Sequence, residues 1–198
     1  MKRILLSLLV CMGLSVASVS EVYAAPCEIK PVSLTCEKMA QPNCIDIPHP
    51  RLSWINSPVD DSVKGACQSA YRIRVASSRE DLAKADLWDS GKVKSDQSVF
   101  VPYQGKALSS GQQVWWQVRV WDSNGKASIW SEPAQWRMGV MNPEEWCARW
   151  IGAPWQEEWE EKNTTPAPYF RKEVDLNKKV ASAVAFVTGL GYFEFYVN

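Results

Sequence analysis

Apolar and polar residues alternate with a period of two along much of this chain, the spacing of a half-buried strand. The clearest case is Gln68 to Ser77, with Tyr71, Ile73 and Val75 on one face and Arg72 and Arg74 on the other. Gln113 to Asp122 repeats it, with Val114, Trp116, Val118 and Val120 pointing one way and Trp115, Gln117, Arg119 and Trp121 the other. Ala127 to Met138 follows across Ser123-Asn124-Gly125-Lys126, and Asn-Gly is a strong hairpin signal. Ile29 to Cys36 and Pro50 to Ile55 read as strands, the second with Leu52 and Trp54 facing inward. Leu87 to Asp89 and Ser98 to Val101 read as short strands, and Arg79 to Ala85 as a helical turn at most. About seven strands over about 110 residues predict an all-β, immunoglobulin- or fibronectin III-like sandwich, with a small closed barrel as the alternative.

The pattern changes on either side. Lys2-Arg3, then an apolar run from Ile4 to about Val19, then Val22-Tyr23-Ala24 predict a signal peptide over 1–24. The run is too short, and too soon followed by Ser20 and Glu21, to span a bilayer. The expected location is therefore exported, periplasmic or extracellular, with no membrane partner once the signal is cleaved. After the sandwich (27–139), residues 140–168 read as a Trp/Pro-rich connector carrying the acidic run Glu157-Glu158-Trp159-Glu160-Glu161. Strand patterns resume at Tyr169–Leu176, Ala181–Val187 and Tyr192–Val197. Segment 169–198 reads as the unfinished start of a second, jelly-roll-like β domain, since three strands cannot bury a core alone.

Composition narrows the partners. The chain has 198 residues, 46% of them hydrophobic, with 22 Lys+Arg against 22 Asp+Glu. A zero formal net charge argues against a nucleic-acid partner, which needs excess positive charge. Signal cleavage would leave Cys27, Cys36, Cys44, Cys67 and Cys147, an odd set with no C-x-x-C spacing, beside the lone His49. No metal site and no cofactor are expected. Adjacent carboxylates at Asp60-Asp61, Glu144-Glu145 and Glu157-Glu158 do not make an acid–base pair, because neighbours on an extended chain point apart. Gly189-x-Gly191 leads into a strand rather than a helix, so it is no phosphate cradle. The remaining candidates are Trp115, Trp121 and Arg119, on one face of one strand. Aromatic rings with polar groups between them suit carbohydrate. Interdomain packing is the stronger expectation, because large exposed apolar patches usually mark protein contacts.

Trp116-Gln117-Val118-Arg119-Val120-Trp121-Asp122 with Ser128-Ile129-Trp130-Ser131-Glu132-Pro133 resembles the last two strands of a fibronectin type III domain. Further segments extend the likeness: Ile45-Asp46 followed by Pro50-Arg51-Leu52-Ser53-Trp54, then Ala70 to Ser77, then Leu87 to Val93. Trp150-Ile151-Gly152-Ala153-Pro154-Trp155 and Thr188-Gly189-Leu190-Gly191-Tyr192-Phe193-Glu194 complete the order. From about Ile29 onward the chain resembles the N-terminal region of bacterial α-L-rhamnosidases of the inverting glycoside hydrolase type. Cys44 stands where that family usually has Gly. The resemblance implies a fibronectin-like domain, a jelly-roll-like domain, then an (α/α)6 barrel holding the catalytic carboxylates. No catalytic residue of that kind carries over to a position here. The implied function is a non-catalytic, structural or accessory part of a secreted enzyme that removes terminal α-L-rhamnose. Its partners would be the downstream β and catalytic domains and, through them, a rhamnose-containing glycan. The alternatives are a stand-alone carbohydrate- or protein-binding module, and another multidomain glycosidase with the same front end. In such a sandwich Cys27–Cys67 and Cys36–Cys44 lie at opposite ends as candidate disulfides, with Cys147 free; all thiols reduced is the alternative.

Overall fold

The computed structural model describes residues 27–153, 167–181 and 183–197. The expected signal peptide and most of the connector's acidic and tryptophan-rich part lie outside them. Among the described residues eight strands are present: β1 (Ile29–Cys36), β2 (Arg51–Pro58), β3 (Gln68–Ala76), β4 (Trp88–Asp89), β5 (Val93–Lys94), β6 (Val101–Pro102), β7 (Gln113–Asp122) and β8 (Ala134–Arg137). They form two antiparallel sheets, β1-β2-β6 and β4-β3-β7-β8, with β5 also paired to β3. Two separate sheets make a sandwich, not a closed barrel.

The alternation read from sequence decides what faces inward. Tyr71, Ile73 and Val75 of β3 and Val114, Trp116, Val118 and Val120 of β7 are buried, and Leu52 and Trp54 of β2 meet them from the other sheet. Trp54 packs edge-on against Tyr71 with ring centroids 5.3 Å apart, joining the layers. Its indole N–H donates to Gln68 Oε1 at 3.1 Å, and the Gln68 amide donates to the carbonyls of Ser95 and Gln97. A buried amide with every such bond made costs little and fixes the alignment of the two sheets.

The expected Asn-Gly turn closes β7: Gly125 has φ +73, and Asp122 N–H donates to the Lys126 carbonyl at 3.0 Å. The returning strand is shorter than the pattern predicts. Only Ala134–Arg137 pairs as a ladder, against Gln113–Trp116. Between them the chain is held differently. Ser128 N–H and Ser131 N–H donate to the carbonyls of Val120 and Val118. The amides of Val120 and Val118 donate in return to Ser128 Oγ and Ser131 Oγ, each at 3.1 Å. Two serine hydroxyls thus stand in for two backbone carbonyls. The side-chain oxygens let the segment advance three residues while β7 advances two, so no regular ladder forms. Ser131→Ala should leave the Val118 amide buried without an acceptor, at a cost of about 1–3 kcal/mol. Hydrogen exchange at that amide should accelerate; unchanged protection would show that the hydroxyl is dispensable.

Neither candidate disulfide is joined, and all five described cysteines are free. Each pair has one buried and one exposed member: Cys27 and Cys36 sit in the core, Cys67 and Cys44 outside it. The cause for Cys36 is a bulge. β1 gains one residue between Val32 and Thr35, where Ser33 has φ 51. That shift turns Cys36 inward to 1% exposure, although strict alternation from Ile29 would put it outside. Burial pushes its thiol pKa up to about 12.

The strands expected at 169–176, 181–187 and 192–197 do not pair among the described residues. Tyr169, Leu190 and Tyr192 are almost wholly exposed. Three strand-like segments with no facing layer have nothing to bury their apolar side against.

Candidate functional site

The outer face of the larger sheet carries the sequence candidates. Register places Arg119 of β7 opposite Arg72 of β3, and Gln117 opposite Arg74. Like charges directly opposite are unfavourable, so these guanidinium groups need compensation. Asp89 of β4 supplies part of it. It accepts from Arg72 Nε at 2.8 Å and from Arg72 NH2 at 2.6 Å, and lies 3.5 Å from Arg74 Nε. The fork from Arg72 holds the Asp89 carboxyl below the usual aspartate range, against the opposing effect of burial.

Trp130 supplies the rest. The serine-held segment brings its ring against two guanidinium groups, with Arg74 Cζ at 4.5 Å and Arg119 Cζ at 4.7 Å from the ring centre. Further cation–ring contacts flank the stack. Lys92 Nζ lies 4.4 Å from the Trp121 ring, and Arg79 Cζ lies 6.0 Å from the Trp115 ring. Each such contact contributes about 0.5–1 kcal/mol at a partly exposed site. Trp115, Arg119 and Trp121 are therefore brought onto one face, as expected, but not as an open aromatic platform. All three are partly buried, and both rings carry a cation. The Nε atoms of Arg74 and Arg119 are buried without a hydrogen-bond acceptor.

Sequence reading missed Trp130 and Lys92 as parts of this face, and did not count Arg74, read as facing outward, among its candidates. The available signal was Ser128-x-x-Ser131 with an aromatic residue inside it. That spacing does not fit a period of two, and it marks where the ladder is replaced by side-chain hydrogen bonds.

A groove of about 610 Å³ lies elsewhere, where residues 184–188 meet Asn43–Asp46 and residues 140–146. Cys44, Met141, Trp146 and Phe186 line it, and Asp46 is its one carboxylate. Among the described carboxylates, every displaced pKa moves down, including Glu37, Asp60, Asp122 and Glu145. These groups act as caps and ion-pair partners: Asp60 accepts from the Ser62 amide at 2.8 Å, and Glu145 from Asn142 at 2.7 Å. A general acid in glycoside hydrolysis requires the opposite displacement. The pair Glu157-Glu158 falls outside the described residues. His49 lies in an exposed loop with Nδ1 at 3.0 Å from the Tyr103 carbonyl. Among the described residues no three His, Cys, Asp or Glu side chains are grouped to hold a metal ion.

Comparison with known proteins sets this sandwich in context. An α-L-rhamnosidase of Streptomyces avermitilis is 40% identical over 177 residues, covering 81% of this chain and 17% of the relative. An α-L-rhamnosidase of Formosa agariphila is 36% identical over 178 residues, covering 80% of this chain and 18% of the relative. The crystal structure of the Streptomyces avermitilis α-L-rhamnosidase complexed with L-rhamnose superposes with a TM-score of 0.60 and 46% identity. That superposition covers 64% of this chain and 12% of the other. The chain thus spans under a fifth of the length of the curated relatives it matches. Residues 31–142 match the family described as "Rha78A-like, N-terminal immunoglobulin domain", and the chain belongs to that family.

Proposed function

We propose that this chain is the non-catalytic N-terminal module of a secreted α-L-rhamnosidase, and that its role there is architectural. The observation that carries this reading is the pairing of two coverages. Similarity to an α-L-rhamnosidase runs through 81% of this chain but through only 17% of that relative. The depressed carboxylates and the tryptophan-centred core fit a rigid support better than a hydrolytic site. In this reading residues 1–24 direct export, Ala25 begins the mature protein, and the compartment is periplasmic or extracellular. The downstream β and catalytic domains of the parent are its partners, and the parent acts on rhamnose-containing glycans.

Two measurements test the reading. The purified chain should release no p-nitrophenol from p-nitrophenyl α-L-rhamnopyranoside above the buffer rate; measurable turnover would place a catalyst within these residues. Sequencing the coding DNA past the codon for Asn198 should show an open frame rich in helical segments with separated Asp and Glu. A stop codon there would overturn the reading in favour of a stand-alone binding module.

A further inference from the structure

The guanidinium and ammonium groups on the outer face of the larger sheet outnumber their carboxylate partners. Arg72, Arg74 and Arg119 lie on the strands, with Lys92 at the Trp121 end and Arg79 at the Trp115 end. Asp89 is the one carboxylate paired with them among the described residues. Glu132, on the bordering segment, makes no ion pair there. Lys92 and Arg79 are exposed and make no ion pair among the described residues, so the face offers two cations beyond those that Asp89 and Trp130 compensate. Trp115 and Trp121 are six residues apart on β7, so the cations span about 20 Å along the strand.

We propose that this face binds a linear polysaccharide bearing carboxylates. The inference goes beyond the architectural role and does not depend on it. Three observations select the ligand. The tryptophan rings carry cations, so the surface they present suits anions rather than a neutral sugar stacked on a bare ring. The exposed Arg79 guanidinium matches a carboxylate in geometry, and the exposed Lys92 ammonium pairs with one as a point charge. The cations are spread from the Trp121 end of the face to the Trp115 end, which fits a polymer that repeats its charge along its length. A protein partner, whose interfaces are also enriched in Trp and Arg, is the competing occupant, and the poly-L-glutamate arm of the test stands for it. Single-stranded nucleic acid fits less well, because its bases need free aromatic faces.

The test is affinity electrophoresis of the full chain without its first 24 residues. Gels would contain polygalacturonate, neutral dextran, poly-L-glutamate or oligo(dT). The chain should be retarded by polygalacturonate at low salt and by dextran not at all. Retardation should fade as salt screens the contacts. The double variant Arg79→Gln/Lys92→Gln, altered at exposed positions, should lose about tenfold in affinity. Lys30→Gln, an exposed position on β1 of the other sheet, should lose nothing. Thermal unfolding of each variant separates lost binding from lost fold. No retardation of the parent chain, or equal retardation of the double variant, would overturn the proposal. So would tighter binding to poly-L-glutamate, which would assign the face to an acidic protein, or to oligo(dT), which would assign it to nucleic acid. None of these results bears on whether the parent is a rhamnosidase.

Discussion

Trp54→Ala is expected to lower the melting temperature by at least about 12 °C, the largest single-residue effect in the domain. Trp54 is 2% exposed and sits where the two sheets meet. Removing a buried indole costs about 3–5 kcal/mol, because its neighbours cannot collapse into the space. The change also takes one hydrogen bond from the Gln68 amide, which is itself buried. A domain of this size has about 5–15 kcal/mol of stability in all, so the variant should sit close to unfolding at ordinary temperature. Trp121→Ala, on the outer face, is the control and should shift the midpoint by less than about 4 °C. Near-ultraviolet circular dichroism during heating reports both. Equal shifts for the two variants would mean that the layer contact is not what holds the sandwich together.

Asp122→Ala should be nearly as damaging, by a different route. Asp122 is fully buried at the end of β7. Its carboxylate accepts from the Lys126 amide at 2.8 Å and the Glu28 amide at 3.1 Å. One side chain therefore closes the Asn-Gly turn and ties down the entry to β1. Hydrogen bonds to a charged group are worth about 1.5–3 kcal/mol, so losing both should cost about 3 kcal/mol or more. Burial alone would raise the carboxyl pKa. The backbone amides of Lys126, Glu28 and Asn124 outweigh that and hold it below its ordinary value of 3.8. A folded pKa below the unfolded one stabilises the protein above the ordinary value, and the gain is lost as pH falls through the folded value. Wild-type stability should therefore drop on acidification below about pH 4. Arg72 and Arg51 hold Asp89 and Glu37 down in the same sense. The variant should show a shallower acid loss than the wild type in urea titrations at pH 7 and pH 3. An unchanged slope would show that the carboxylate charge at position 122 is not felt.

The parts of the fold legible in sequence are those where one rule acts alone. β7 begins and ends at the expected residues, Gln113 to Asp122, because alternation and the Asn-Gly turn agree there; β1 keeps its expected bounds, Ile29 to Cys36, although a bulge breaks its alternation. Strand parity was readable for β3 and β7, so the face holding Trp115, Arg119 and Trp121 could be named without coordinates. What lies over that face could not. Trp130 reaches it only because serine hydroxyls replace backbone acceptors, and Lys92 and Arg79 reach it from loops. The cysteines show the same limit. Topology puts Cys27 and Cys67 near one end of the sandwich, beside Asp122 and Gln68, as read from the order of strands. A single bulge residue then reverses the facing of Cys36, and no periodicity announces a bulge. Val93–Lys94 was missed as a strand because two residues carry no period.

The serine hydrogen bonds have a consequence for how the protein behaves in company. A sheet margin with free amides and carbonyls is a template for another chain. On one flank Ser128 and Ser131 occupy both the amides and the carbonyls of Val118 and Val120. On the opposite flank the Ile73 amide donates to Ser90 Oγ at 2.8 Å, and Ser90 N–H donates to the Ile73 carbonyl. Ser90 fills the gap between the two short strands that pair with β3. Hydroxyl groups seal the midpoint of each margin of the larger sheet without extending the ladder, so the backbone groups of Ile73, Val118 and Val120 are not left for a second molecule to continue. Local serine chemistry thereby works for colloidal stability at this sheet, by taking up the backbone groups on which a second chain would template.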